Sequence, residues 1–120
     1  KDNSTMNQYA VLIYHDDSAH ALDAGPADTA SCDDHADDLR AAQSMVLAYA
    51  LTPRSLAVSL RAGSTVAEPF VPDGPIVAGF YVIEAPDLDS ALAIARTNPV
   101  LAEGGGVEVR LVHSGGLVDR

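Results

Sequence analysis

Asp73 and His35 are two side chains with acid–base chemistry at positions from which a fold could present them to a ligand. Asp73 belongs to the turn sequence Pro72-Asp73-Gly74-Pro75, in which glycine allows a positive φ and proline restricts the backbone. An apolar run follows this turn, so the Asp73 carboxylate is expected at the mouth of a strand. His35 shares a predicted helical face with apolar residues, and an imidazole exchanges protons near neutral pH. The ordinary alternatives are that Asp73 only caps its own turn and that His35 is a core histidine bonded to a backbone carbonyl.

Two tyrosines and one polar loop are further candidates. Tyr14 and Tyr81 lie in apolar runs, and their hydroxyls could contact a substrate, although amphipathic core and interface tyrosines are the commoner case. The run 15–17 (His-Asp-Asp) with His20 has residue types that bind divalent metals, and a metal site using His15, His20 and His35 is a further alternative. Its spacing fits no recognised metal site, so a solvated acidic loop is the favoured interpretation, and neither a metal nor another cofactor is expected.

Length and charge exclude several classes of protein. The chain has 120 residues, 17 acidic against 7 basic, and a net charge of −10. A phosphate backbone or an anionic membrane would repel it, and its arginines form no basic patch, so neither is an expected partner. No apolar run approaches the roughly 20 residues that span a bilayer, and no secretory signal is visible. The single cysteine, Cys32, fits a reducing compartment, and the expected location is the cytoplasm.

Apolar periodicity predicts the element order β-α-β-β-α-β in one domain over residues 7–113. Residues 1–5, before Met6, are expected to be a cloning remnant, and residues 114–120 a loose tail. The first helix is predicted to begin near Ser31 and to end between Ser44 and Tyr49. The second should begin at an Asp87 N-cap and end at Asn98-Pro99, with Leu88, Ala91, Leu92 and Ala95 on its inner face. Strands are predicted over residues 8–14, 55–61, 78–85 and 107–112.

This order is that of a ferredoxin-like α+β fold, with both helices on one face of the sheet. The first and third strands are apolar on both faces and should be central, while the other two alternate and should be edges. Two helices cover only one face, so the second face needs another cover. A second copy of the chain is the expected cover, which predicts a homodimer with sheets packed face to face.

Several segments together resemble a known family. They are the run 9–14, the turn Asp73-Gly74-Pro75, the runs 79–83 and 85–89 with Ala91-Leu92, and the ending 106–110. Taken together, residues 9–112 resemble the YCII-related proteins and, more narrowly, the branch named for an Asp-Gly-Pro-Phe motif. This chain departs from the branch at Ile76, where the motif has Phe. It also has only three residues between Pro75 and Gly79, where the family carries a longer acidic-polar segment, and it lacks the Gly-rich turn often found near residues 45–51.

The resemblance implies a dimeric α/β barrel and a pocket between helices and sheet in which His35 pairs with Asp73. A nearby carboxylate selects the tautomer of an imidazole and raises its pKa, so that it can take and return a proton. The known activities in and around this family include a dehydrochlorinase acting on a chlorinated hydroquinone, lactone isomerases and cofactor-free monooxygenases.

The hypothesis is therefore a cofactor-independent lyase- or isomerase-type enzyme that acts on a small organic metabolite by elimination, dehydration, isomerisation or cyclisation. The alternative is a non-catalytic ligand-binding or accessory module. The short loop after Pro75 favours this alternative slightly, because a shallower pocket excludes water less well.

Overall fold

The computed structural model describes residues 6–18 and 45–116. The predicted first helix, with His35 and Cys32, lies outside the described residues as far as position 44, and so does His20 of the predicted polar loop. No helix in the described ranges is long and apolar enough to cross a membrane. Within them the chain forms β1 (Asn7–His15), β2 (Met45–Ala50), β3 (Ser59–Arg61), β4 (Ser64–Val66), β5 (Ile76–Ala85), α1 (Leu88–Ala95) and β6 (Gly106–Leu111), with short 3-10 helices at Arg54–Leu56 and Pro99–Glu103.

Four of the strands in the described part of the chain form one antiparallel sheet in the order β2-β5-β1-β6. This is the ferredoxin-like arrangement, and the prediction that the first and third strands of the sheet are central is confirmed. β1 and β5 occupy the centre because both carry apolar side chains on both faces, so that solvent exposure of either face would be costly.

The prediction of the second strand was wrong. Residues 45–50, partly assigned to the first helix, form the edge strand β2, where Tyr49 is paired with Phe80. Residues 55–61 instead contain the end of a 3-10 turn and β3, which pairs with β4 in a separate hairpin. The cause is that a short apolar run does not distinguish helix from strand. The alternation that suggested a strand, carried by Leu56, Val58 and Leu60, does not reflect burial, since these side chains are 49%, 64% and 71% exposed.

The core lies between one face of the sheet and α1. Its buried residues are Tyr9, Val11, Tyr81, Ile83, Ala85, Ala91 and Ala95. Val11 and Ile83 are fully buried, and each contributes about 1.5–3 kcal/mol by removal from water. We refer to this side as the helix face.

The N-cap predicted for α1 is confirmed, because the Asp87 carboxylate accepts a hydrogen bond from the backbone N–H of Ser90 at 2.8 Å. Of the predicted inner face, Ala91 and Ala95 are buried, but Leu88 is 50% exposed. Ile94 packs against the core instead.

The opposite side of the sheet, the open face, carries apolar side chains without a described cover. Alternation along the strands places Leu12, Tyr14, Phe80 and Val82 there, all half-buried. Tyr49 joins them from β2, 60% exposed, with its ring centroid 5.6 Å from that of Phe80. Charged Glu108 and Arg110 of β6 border this apolar patch.

Gly79 permits the close approach of β2 to β5. A Cβ built on Gly79 would lie 2.8 Å from the carbonyl oxygen of Tyr49 and 3.3 Å from the Cα of Ala50. Both contacts are with backbone, so they cannot be relieved by a rotamer change. Any side chain at this position must push the edge strand away.

The substitution Gly79→Ala is therefore expected to lower the free energy of unfolding by about 1–3 kcal/mol, as overpacking does in other cores. Gly106→Ala is the matched control, because Gly106 also lies in a strand but a Cβ built there meets nothing within 4 Å. That control should change stability by less than about 1 kcal/mol. Urea unfolding of both variants measures the difference, and equal effects would contradict the contact at Gly79.

Candidate functional site

A groove of about 550 Å³ lies at one end of the sheet, where β1 ends and β5 begins. The segments that follow β2 and β4 form its other walls. Its lining is mostly apolar and includes Tyr14, one of the predicted substrate contacts. The lining residues are Tyr14, Leu51, Thr52, Pro53, Arg54, Ala57, Ser59, Pro69, Phe70, Val71, Pro75, Ile76 and Val77.

Asp73 lies in a turn directly before β5, as the Asp-Gly-Pro sequence predicts. Its side chain is exposed and is not part of the groove lining. Its position in the chain is nevertheless between two lining residues, Val71 and Pro75. The turn therefore borders the groove.

Arg54 joins this turn to the end of β1. Its guanidinium donates hydrogen bonds to the carbonyl oxygens of Asp16 and Pro72, both at 2.6 Å, and to that of Gly74 at 3.4 Å. Two of these carbonyls therefore belong to the residues on either side of Asp73. A planar guanidinium suits this task because it presents several donors in a fixed geometry.

Sequence reasoning missed Arg54, which it treated as one of several scattered arginines. One signal was available: Arg54 is the lone charged residue in the otherwise uncharged stretch 45–60. The partners of its side chain could not be inferred, because they are backbone carbonyls that carry no residue signature.

A second set of hydrogen bonds holds the same corner. The carboxylate of Asp17 accepts from the backbone N–H of Arg54 at 2.7 Å and from that of Ser18 at 2.8 Å. The bond from Arg54, followed by that from Ser18, lowers the pKa of Asp17. The Ser18 hydroxyl also donates to the carbonyl of Leu51. At least one carboxylate of the predicted acidic loop thus ties the segment after β1 to the segment after β2.

Both ring nitrogens of His15 have backbone partners. Nε2 lies 3.2 Å from the carbonyl oxygen of Glu103, which can only accept, so Nε2 carries the proton. Nδ1 accepts from the backbone N–H of Asp17 at 3.5 Å. This pattern selects the tautomer with the proton on Nε2. Within residues 6–18 and 45–116, no three His, Cys, Asp or Glu side chains are grouped closely enough to hold a metal ion.

The two candidate tyrosines lie on opposite faces of the sheet. Tyr14 faces the groove, whereas Tyr81 is 3% exposed and belongs to the core on the helix face. Burial raises the pKa of the Tyr81 hydroxyl, while a hydrogen bond with the side chain of Asn98 acts in the opposite direction. The structure thus brings Tyr14 near the turn that carries Asp73, but not Tyr81, and His35 lies outside the described residues.

The sheet order with α1 packed on one face defines a ferredoxin-like α+β protein. The family model of the YCII-related domain matches residues 7–114, so the chain belongs to the YCII-related family and the resemblance is confirmed. No curated protein matches the sequence.

Proposed function

We propose that this protein is a small cofactor-independent enzyme that performs general acid/base chemistry on a small organic metabolite. The observation that carries the proposal is the position of Asp73, in a turn held by Arg54 at the border of an apolar groove. The groove volume of about 550 Å³ lies within the range of roughly 300–1,000 Å³ that is typical of small-molecule sites.

In this proposal His35 takes and returns the proton, and Asp73 orients the imidazole and raises its pKa. General acid/base catalysis of this kind typically contributes about 10²–10⁴-fold in rate. That is sufficient for elimination, dehydration, isomerisation or cyclisation of an activated substrate, which are lyase- and isomerase-type reactions. The mostly apolar lining favours an organic substrate over a heavily charged one.

Tyr14 is proposed as a hydroxyl that contacts the substrate within the groove. The predicted role of Tyr81 would require a second opening on the helix face, because its side chain is 3% exposed and lies on the opposite side of the sheet from Tyr14. The protein is proposed to work in the cytoplasm, without a nucleic-acid or membrane partner, in line with its acidic charge and single cysteine.

The active form is proposed to be a homodimer joined through the open face. Support comes from the half-buried Leu12, Phe80 and Val82 and the exposed Tyr49, which form an apolar patch bordered by charged residues. Protein interfaces have this anatomy, with an apolar centre and a polar rim. A second copy would present the same patch and cover the first.

The second candidate function is a binding or accessory module that holds a small apolar ligand without turnover. The exposed Asp73 side chain, outside the groove lining, favours this candidate. The two candidates differ in one property, which is whether His35 is electrostatically coupled to Asp73.

The pKa of His35, measured by NMR titration, decides between them. A neighbouring carboxylate stabilises the imidazolium, so the parent should show a His35 pKa above the ordinary value of about 6.5. Asp73→Asn removes that charge and should lower the pKa of His35 by about 0.5 or more. Glu68→Gln, an exposed change of the same charge, is the control and should leave this pKa within about 0.2 of the parent. Equal His35 pKa values in parent and Asp73→Asn would reject the acid/base couple and favour the binding module.

The oligomeric state tests the open face. The parent should sediment with twice the 12.5 kDa mass of one chain. Tyr49→Glu places a charge within the apolar patch of the proposed interface and should yield monomers, at little cost to the single chain because Tyr49 is 60% exposed. Leu60→Glu, at a 71% exposed position on β3 outside the main sheet, should leave the dimer intact. A monomeric parent, or a dimer that tolerates Tyr49→Glu, would contradict the proposed interface.

A further inference from the structure

We propose that Arg54 is the positioning residue of Asp73, and that it acts through the two backbone carbonyls that flank this residue. The inference rests on the proposed function, because it assigns Arg54 to the same acid/base site. It goes beyond that function by naming the group that sets where the Asp73 carboxylate points.

The geometry of the bonds is the first argument. The guanidinium binds the carbonyl of Pro72 at 2.6 Å and that of Gly74 at 3.4 Å. The Pro72 carbonyl lies in the peptide plane directly before the Asp73 Cα, and the Gly74 carbonyl lies in the plane that follows Gly74, so the two bonds hold the Asp73-Gly74 segment at both of its ends. Rotation of the backbone there would swing the carboxylate, so these bonds limit its direction without using the carboxylate itself.

The anchoring of Arg54 is the second argument. The same guanidinium binds the carbonyl of Asp16 directly after the central strand β1. The backbone N–H of Arg54 is held in turn by the carboxylate of Asp17. The turn is therefore connected to the end of a central strand, since β1 pairs with both β5 and β6.

Arginine is required here for a physical reason. Its fork carries two terminal nitrogens, and the structure uses Nη1 for Asp16 and Gly74 and Nη2 for Pro72. A lysine ammonium is a compact point charge and cannot reproduce this spread of donors. A charge-conserving change should therefore loosen the turn almost as much as a neutral one.

The test uses the full chain and two variants, Arg54→Lys and Arg54→Met. The backbone order parameters of Asp73 and Gly74, measured by ¹⁵N relaxation, should fall from about 0.85 in the parent to below about 0.6 in both. The pKa of His35 should fall with them, toward the value in Asp73→Asn. Together with unchanged sheet resonances, this second readout separates a positioning role from a purely structural one, because a general loss of stability would not act on the His35 imidazole alone.

Arg61→Lys is the matched control. Arg61 also donates to a backbone carbonyl, that of Phe70, at 2.9 Å, and its guanidinium lies 3.7 Å from the Phe70 ring centroid. It makes no described bond to the turn at Asp73, so this variant should leave both the order parameters and the His35 pKa unchanged. Unchanged sheet resonances in the Arg54 variants confirm that they fold.

Three results would overturn the inference, and they are distinguishable. Order parameters that stay at the parent value in both Arg54 variants show that the turn does not need Arg54. A mobile turn with an unchanged His35 pKa, while Asp73→Asn lowers it, shows that Asp73 acts without being positioned, and the proposed function survives. If Asp73→Asn itself leaves His35 unchanged, the proposed function is wrong and the inference is overturned with it.

Discussion

The hydrogen bonds of the Arg54 guanidinium hold together the end of the sheet where the groove lies. β1 ends there and β5 begins there, and both strands are central. The carbonyls of the segments after β1 and before β5 lie outside the sheet ladder and bond to side chains or water instead. A single charged group supplies donors to three of them, and bonds to a charged donor are stronger than those between neutral groups. The same bonds set the relative position of the post-β1 segment and the turn of Asp73, so the groove wall depends on them.

The sheet itself is asymmetric in a way that follows from its composition. Its two central strands are apolar on both faces, but α1 covers one face. The helix face accordingly contains fully buried residues such as Val11 and Ile83, whereas the open face keeps Phe80 and Val82 half-buried and Tyr49 exposed. Tyr14 belongs by alternation to the open face and also lines the groove. A partner on the open face would therefore lie close to the proposed site, which links the proposed dimer to the proposed activity.

Local patterns predicted the parts of the fold that local physics determines. β1, β5, β6 and α1 follow from apolar periodicity, and the Asp87 cap follows from the preference of helix N-termini for side-chain acceptors. The failure at β2 has an equally local cause, since residues 45–50 are apolar throughout and carry no period. Pairing with β5, and the space that Gly79 leaves for the Tyr49 backbone, decide in favour of a strand.

The candidate site was predictable to a smaller extent. The turn at Asp73 follows from its Asp-Gly-Pro signal, and the position of Tyr14 in a strand follows from its apolar run, but the groove that both border does not follow from either signal. The role of Arg54 does not follow from the sequence, because the acceptors of its hydrogen bonds lie 18, 20 and 38 residues away and are all backbone atoms. The burial of Tyr81 on the helix face could not be predicted either, because its strand is apolar on both faces. Long-range hydrogen bonds to backbone, and the choice of face, are properties of the folded chain.

The proposed acid/base couple joins His35 and Asp73 at the border of the groove. A crystal structure of the full chain measures it most directly, through the distance between an imidazole nitrogen of His35 and a carboxylate oxygen of Asp73. We expect a distance of about 2.6–3.2 Å, or a single bridging water, as general acid/base pairs require. A His35 imidazole bonded to a backbone carbonyl elsewhere in the core, with no path to Asp73, would contradict it.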